Sequence, residues 1–262
     1  IFIAGNHDWS HGDADGLAAL KRQENFINQS HGSGSKLLPS AGCPGPVAID
    51  SKGIRIIALD SHWWFEDNLK PDTSCQQTSK DEVALKLKEL VNDADARRVV
   101  VVAHHPLLTY GPHGGFYDWK DHLFPLTNIA EWLWIPMPII GSLYPLTRAW
   151  LVRSDQDLSG AKNKAMVRAL KEVLSTGEVL IYAAGHEHTL QVLEGGQVVD
   201  YLLVSGAGSE VKTTSVGHGD VTLFAHLHTG FMAVDFLAEG RVLLSVIEPG
   251  EKEIVFRKWL KE

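Results

Sequence analysis

Cysteine is scarce: Cys43 and Cys75 are the only two in 262 residues, and neither sits in a C-x-x-C pair. A thiolate-rich zinc site is therefore excluded. Both cysteines lie in loops rich in Pro, Gly and Ser, which leaves two readings open. They are free thiols, or they form a disulfide worth roughly 3–4 kcal/mol in a chain-entropy treatment. Positive charge is also short, with 24 Lys and Arg against 32 Asp and Glu and a net charge of -8. No Lys/Arg-rich stripe interrupts that balance, so an electrostatic grip on nucleic acid or an anionic membrane is disfavoured. Long hydrophobic runs are missing. The most apolar stretch, Trp132 to Leu146, carries Pro136, Pro138 and Pro145 and cannot cross a bilayer as a regular helix. There is no internal repeat and no low-complexity tract. There is no initiator Met, and Ile1 opens within an apolar run, so the chain is expected to be cut at its amino end. The missing targeting segment then carries no information.

What remains is ordinary globular composition, 44% hydrophobic and 21% charged, long enough for a substantial core. Ile1 to Ala4 reads as a strand remnant, followed by a helix over Asp13–Asn28 that Asp13 or Asp15 caps. Pro46–Asp50 and Ile54–Asp60 read as paired strands around Ser51-Lys52-Gly53. Ser79 with Glu82 is a capping-box pair opening a helix, and Arg97–Ala103 is a strand. Residues 107–155, rich in Trp, Tyr, Pro and Gly, read as an insertion or lid, with helical pieces near Leu126–Leu133 and Tyr144–Val152. A helix over Leu158–Thr176 ends at Gly177, expected to be its left-handed cap. After a buried strand at Val179–Ala184, Leu190–Leu193, Gln197–Val204, Thr222–Phe236 and Arg241–Ile247 read as an antiparallel meander. The alternation argues for one layered α/β domain over residues 1–262.

Three apolar runs end in potential ligands. Gly5-Asn6-His7-Asp8 follows Ile1–Ala4, His104-His105-Pro106 follows Arg98–Ala103, and Gly185-His186-Glu187-His188 follows Val179–Ala184. Two His at i, i+2 past a strand can turn both imidazoles to one point, with neutral nitrogen as donor to a transition metal. In an acidic chain, metal ions are also what lets phosphate bind locally.

This ordered triple resembles the calcineurin-like metallophosphoesterase superfamily, which includes the purple acid phosphatases, across most of the chain. The resemblance implies an α/β sandwich of two mixed sheets flanked by helices, here lacking its first strand or strands. It implies a centre of two divalent or trivalent metal ions (Mn, Fe or Zn) at the strand ends. Asn6, His104 and His186 resemble the ligands of the second metal, and His188 resembles a ligand of the first. His7 resembles the non-ligating His that acts on the phosphoryl or leaving group, with Asp8 orienting an imidazole. The implied reaction is in-line attack of hydroxide on a phosphomonoester or phosphodiester, with metals neutralising the phosphoryl oxygens.

The chain departs from the family pattern, which has Asp-x-His and Gly-Asp-x-x-Asp segments before the Asn-His motif. Asp60-Ser61-His62 matches the first by letters but lies after Asn6, and reads as a strand-end Asp beside a pocket-lining His. Asp13-Ala14-Asp15 reads as a helix cap. Without those carboxylates, at most one divalent ion is expected to bind. His105, His113 and Trp63 are candidates for the substrate pocket, with packing as the alternative for each. His226 and His228 mimic the ligand spacing but fall inside the expected strand. Gly42-Cys43-Pro44-Gly45-Pro46, Leu59–Trp64 and Ile140–Leu146 resemble loops of bacterial envelope metallophosphoesterases. That likeness implies a periplasmic setting, a small-molecule or lipid-linked phosphoester, and an outer-membrane barrel further along some relatives. The rival function is a non-catalytic binding or scaffold domain. A nuclease is disfavoured by the acidic charge.

Overall fold

The computed structural model describes residues 1–30, 36–66, 74–128, 132–137, 141–142, 154–208 and 215–262. The expected helix at Tyr144–Val152, and most of the Ile140–Leu146 motif, lie outside the described residues. The helices are α1 (Gly16–Ser30), α2 (Lys80–Asn92), α3 (Trp119–Leu123) and α4 (Ala161–Leu174). The strands are β1 (Val47–Ser51), β2 (Ile54–Ala58), β3 (Arg98–Val102), β4 (Val179–Ala184), β5 (Leu190–Glu194), β6 (Tyr201–Ser205), β7 (Thr222–His226), β8 (Phe231–Phe236), β9 (Val242–Ile247) and β10 (Phe256–Lys261). The fold is α/β. A mixed seven-stranded sheet runs β1-β2-β3-β4-β6-β5-β7, and a second, three-stranded sheet runs β10-β9-β8. The second sheet is antiparallel throughout rather than mixed. Two compact units divide the chain. The first holds Ile1–Pro106, Ala165–His186 and Gly195–Leu202; the second holds Leu107–Lys164, Glu187–Glu194 and Leu203–Glu262.

In the first unit, β1 and β2 form a hairpin with Val47 opposite Ala58, turning through Lys52 and Gly53 at positive φ. β2, β3 and β4 then run parallel, and their carboxyl ends finish side by side. One irregularity sets that finish. Val99 pairs with Val179 but Val100 pairs with Ile181, so Leu180 is an extra residue in β4. Burial on both faces suits the runs of Val, Ile and Leu in these strands. The capping box forms as expected, with the Glu82 N–H donating to Ser79 Oγ at 3.3 Å and the Ser79 N–H donating to Glu82 at 3.2 Å. The far end of α2 is tied to the hairpin by buried Arg55. Its guanidinium donates to both Asp50 oxygens at 2.7 Å and to the carbonyls of Leu90 and Asp93. A cation there also complements the negative end of the helix.

Several expectations are corrected. Ile1–Ala4 is not a strand: Phe2 makes a single parallel bridge to Leu37, and Ile1 and Phe2 are exposed. Gly177 is not in the left-handed region; a Cβ there would lie 2.6 Å from Val91 Cγ1, so close packing on α2 is what requires glycine. Thr222–Phe236 is two strands in two different sheets. The break falls at Gly230, where a Cβ would lie 2.5 Å from the Ile247 carbonyl oxygen. His226 therefore ends β7 and His228 lies in the turn, and their Nδ1 atoms approach buried Glu248 at 2.7 and 3.8 Å. The expected helical piece at Leu126–Leu133 is a short 3-10 turn, Pro125–Asn128, where it is described. The hairpin at Glu239-Gly240 does form between β8 and β9, with Gly240 at φ 80°.

Cys43 and Cys75 are bonded, with Cα atoms 5.4 Å apart and a sequence separation of 32. Replacing Cys75 with Ser is expected to cost about 3–4 kcal/mol, or about 6–16 °C in Tm for a chain of this size. Calorimetry with and without reductant checks this: reductant should lower the wild-type Tm and leave the variant unmoved.

Candidate metal centre

The site grows from the ends of two adjacent parallel strands. Val102 of β3 pairs with Ala183 of β4, and the pairing continues past both strands. The Ala103 N–H donates to the Ala183 carbonyl, and the Gly185 N–H donates to the His104 carbonyl, each at 3.1 Å. His104 and His186, the first side chains beyond those links, consequently stand next to each other. His186 adopts φ 54°, the left-handed region. That conformation costs a non-glycine residue about 1–2 kcal/mol, and such strain collects at functional positions.

The third contributor arrives on a separate loop. Residues 5–12 are a succession of tight turns, including Asp8 N–H to the Gly5 carbonyl and His11 N–H to the Asn6 carbonyl. Asp8 closes this loop by accepting the Gly5 N–H on Oδ2 at 2.8 Å. Trp9, 1% exposed, is its anchor and packs with Ala4, Leu20 and Leu37. Gly16 must lack a side chain, because a Cβ would lie 2.5 Å from the Trp9 carbonyl oxygen. Gly5 is constrained in the same way by the imidazole of His104, 2.7 Å from a built Cβ.

These supports bring three donor atoms together. His104 Nε2 lies 2.9 Å from Asn6 Oδ1 and 3.2 Å from His186 Nδ1. One ring nitrogen cannot donate its proton to the amide and also accept one from the second imidazole. Donors about 3 Å apart are, however, what a common ion requires when each bond is about 2.0–2.1 Å. His105 joins them: one nitrogen from each of His104, His105 and His186 lies within 4.8 Å of the others. The residues present therefore fit a divalent transition metal, with Asn6, His104 and His186 as its holders.

The other candidates are placed as follows. His7 is exposed, its ring 4.2 Å from that of His11. Trp63 is 4% exposed in the 3-10 turn His62–Phe65, and its indole N–H has no partner. His188 and His113 belong to the second unit. His188 is half-buried, and His113 Nδ1 meets buried Asp157 at 2.8 Å. In that unit Glu187, also buried, accepts the His113 N–H at 3.0 Å and the Thr109 hydroxyl.

Asp60 faces Trp9 and its own turn. It accepts Trp9 Nε1–H at 2.8 Å and the backbone N–H groups of His62 and Trp63 at 2.9 and 3.2 Å. Burial pushes this carboxyl from 3.8 up to about 7, against the pull of those donors. Burial also pushes His62 from 6.5 down to about 4. The ring of His62 is 3.3 Å from Glu66 Oε1, but the angle is too poor for a hydrogen bond.

The two shifts oppose each other in stability. Between pH 4 and 7 the folded state holds the Asp60 proton and the unfolded state has lost it, so this group's contribution falls as pH rises. His62 charges first in the unfolded state, so its contribution rises with pH from about 4 to 6.5. Asp60→Asn removes the falling part alone. Relative to wild type, the variant is expected to gain stability from pH 4 to 7 and then stay level. Urea unfolding at four pH values tests this; a difference independent of pH over that range would show the carboxyl ionising at its ordinary value.

No family model and no curated protein matches the chain. Among solved structures, it is similar to GAP50, described as the anchor in the inner membrane complex of Plasmodium, at 15% identity and a TM-score of 0.53. That match covers 99% of this chain, which spans 64% of the length of the other. A purple acid phosphatase from yellow lupin (Lupinus luteus) seeds matches 80% of the chain and 31% of its own, at 12% identity and a TM-score of 0.43. The first likeness is one of fold.

Proposed function

We propose that this chain is a metal-dependent phosphoester hydrolase domain. The observation that carries the reading is the convergence of Asn6, His104 and His186 at two parallel strand ends, with donor separations of 2.9 and 3.2 Å. A bound ion supplies positive charge to phosphoryl oxygens and a more acidic water. The chain's own residues do the rest. The turns of residues 5–12 hold Asn6 against His104, and the strained His186 presents its Nδ1 to the same point. His7, exposed on that loop, is the residue that would give a proton to the departing oxygen. The family resemblance calls for two ions, whereas the donors that converge in the first unit account for one. The Cys43–Cys75 disulfide fits an oxidising compartment such as a cell envelope.

A second reading is a binding or anchoring domain on the same fold. Two observations favour it: among the described residues the converging donors include no carboxylate, and the GAP50 likeness extends over nearly the whole chain. Metal analysis of the purified chain, with hydrolysis of p-nitrophenyl phosphate and its bis-ester, separates the two. The hydrolase reading expects bound metal, turnover, and at least a hundredfold loss in His186→Ala. Metal without turnover on either ester selects the anchoring domain.

A further inference from the structure

We infer that His105 is a third imidazole ligand of this centre, and that Ser61 is the residue that aims it. The inference rests on the metal-centre reading above and adds to its ligand set. His105 is fully buried, and its ring lies 4.4 Å from that of His186 and 4.9 Å from that of His104. The ring is held at Nδ1, and the backbone of the same residue is held on both sides. Its N–H donates to Ser61 Oγ at 2.9 Å, its Nδ1 lies 2.9 Å from the same Oγ, and its carbonyl accepts the Tyr182 hydroxyl at 2.9 Å. Ser61 and Tyr182 are themselves buried.

The Ser61 hydroxyl can hold the tautomer that a ligand needs. A serine oxygen has two lone pairs, enough to accept both the backbone N–H and an Nδ1–H of His105. In that tautomer, the one an ion would select, the ring proton sits on Nδ1 and the Nε2 lone pair is offered, the usual division of labour in an oriented histidine ligand. One nitrogen from each of the three imidazoles lies within 4.8 Å of the others; ligands of one ion stand about 3.3 Å apart, so binding would draw the three rings together. The full donor set becomes three imidazoles and one amide oxygen. All four are neutral, so the ion keeps its whole charge, which suits a dianionic phosphoryl group.

Cobalt(II) titration, followed by visible absorption and by competition with a chelator, tests the assignment without any turnover. His105→Ala is expected to weaken Co2+ binding at least tenfold and to change the d–d band, as loss of one nitrogen donor would. Ser61→Ala, which keeps the imidazole, is expected to weaken it about tenfold, and Ser61→Thr to restore it. If His105→Ala does not fold, judged by circular dichroism, the two Ser61 variants decide. Unchanged affinity and spectrum in His105→Ala or Ser61→Ala, with binding lost in His104→Ala and His186→Ala, overturns the role of His105 and leaves the metal centre standing. Wild-type binding in all of these variants would instead remove the metal centre itself.

Discussion

The parallel pairing of β3 with β4 is the constraint from which the site follows. Two neighbouring strands that run the same way must end at the same edge, about 4.8 Å apart. Whatever residue follows each strand is then a near neighbour of its counterpart. Here those residues are His104 and His186, linked through the Gly185 N–H and the His104 carbonyl. Backbone hydrogen bonds thus set the histidine separation before any side chain makes a choice. The Asn6 loop has no such strand behind it and relies on packing, through Trp9 and two glycines that admit close approach.

Much of this arrangement is legible in sequence for the same reason. Arg98–Val102 and Val179–Ala184 are apolar enough on both faces to read as buried strands, and a histidine just past such a run is easy to notice. The Ser79–Glu82 capping box and the Lys52-Gly53 hairpin are equally readable, because each depends on residues within four positions of one another. Tertiary approach is what sequence conceals. Gly177 has the right place for a left-handed cap, but it is glycine because Val91 comes too near. Gly230 marks a change of sheet, yet the crowding that requires it comes from Ile247, seventeen positions away in the chain.

The candidate site divides along the same line. Asn6, His104 and His186 carry a pattern, and the pattern resembles a known family. His105 reads as a packed or substrate-facing residue, because its partner Ser61 lies 44 positions upstream and no local signal joins them. Asp60 has the letters of a ligand motif, but the indole of Trp9 claims one oxygen and the following turn claims the other. Only the tertiary fold tells a ligand from an anchor when both are buried carboxylates or imidazoles at strand ends.

The extra residue in β4 bears on how such a chain tolerates change. Substitutions in Val179–Ala184 that preserve bulk leave the sheet as it is, but the length of the segment past the bulge is not free to vary. Losing Leu180 itself would only make the pairing regular, because Val179 and Ile181 already face consecutive residues of β3, but losing a residue between Ile181 and Gly185 would put Glu187 where the imidazole now stands beside His104. A gain of one residue would bring Gly185 there, with nothing to offer an ion. Insertions and deletions should therefore be found at the bulge or in the connections outside 98–104 and 181–186, while those two stretches keep their length even after their residues have drifted.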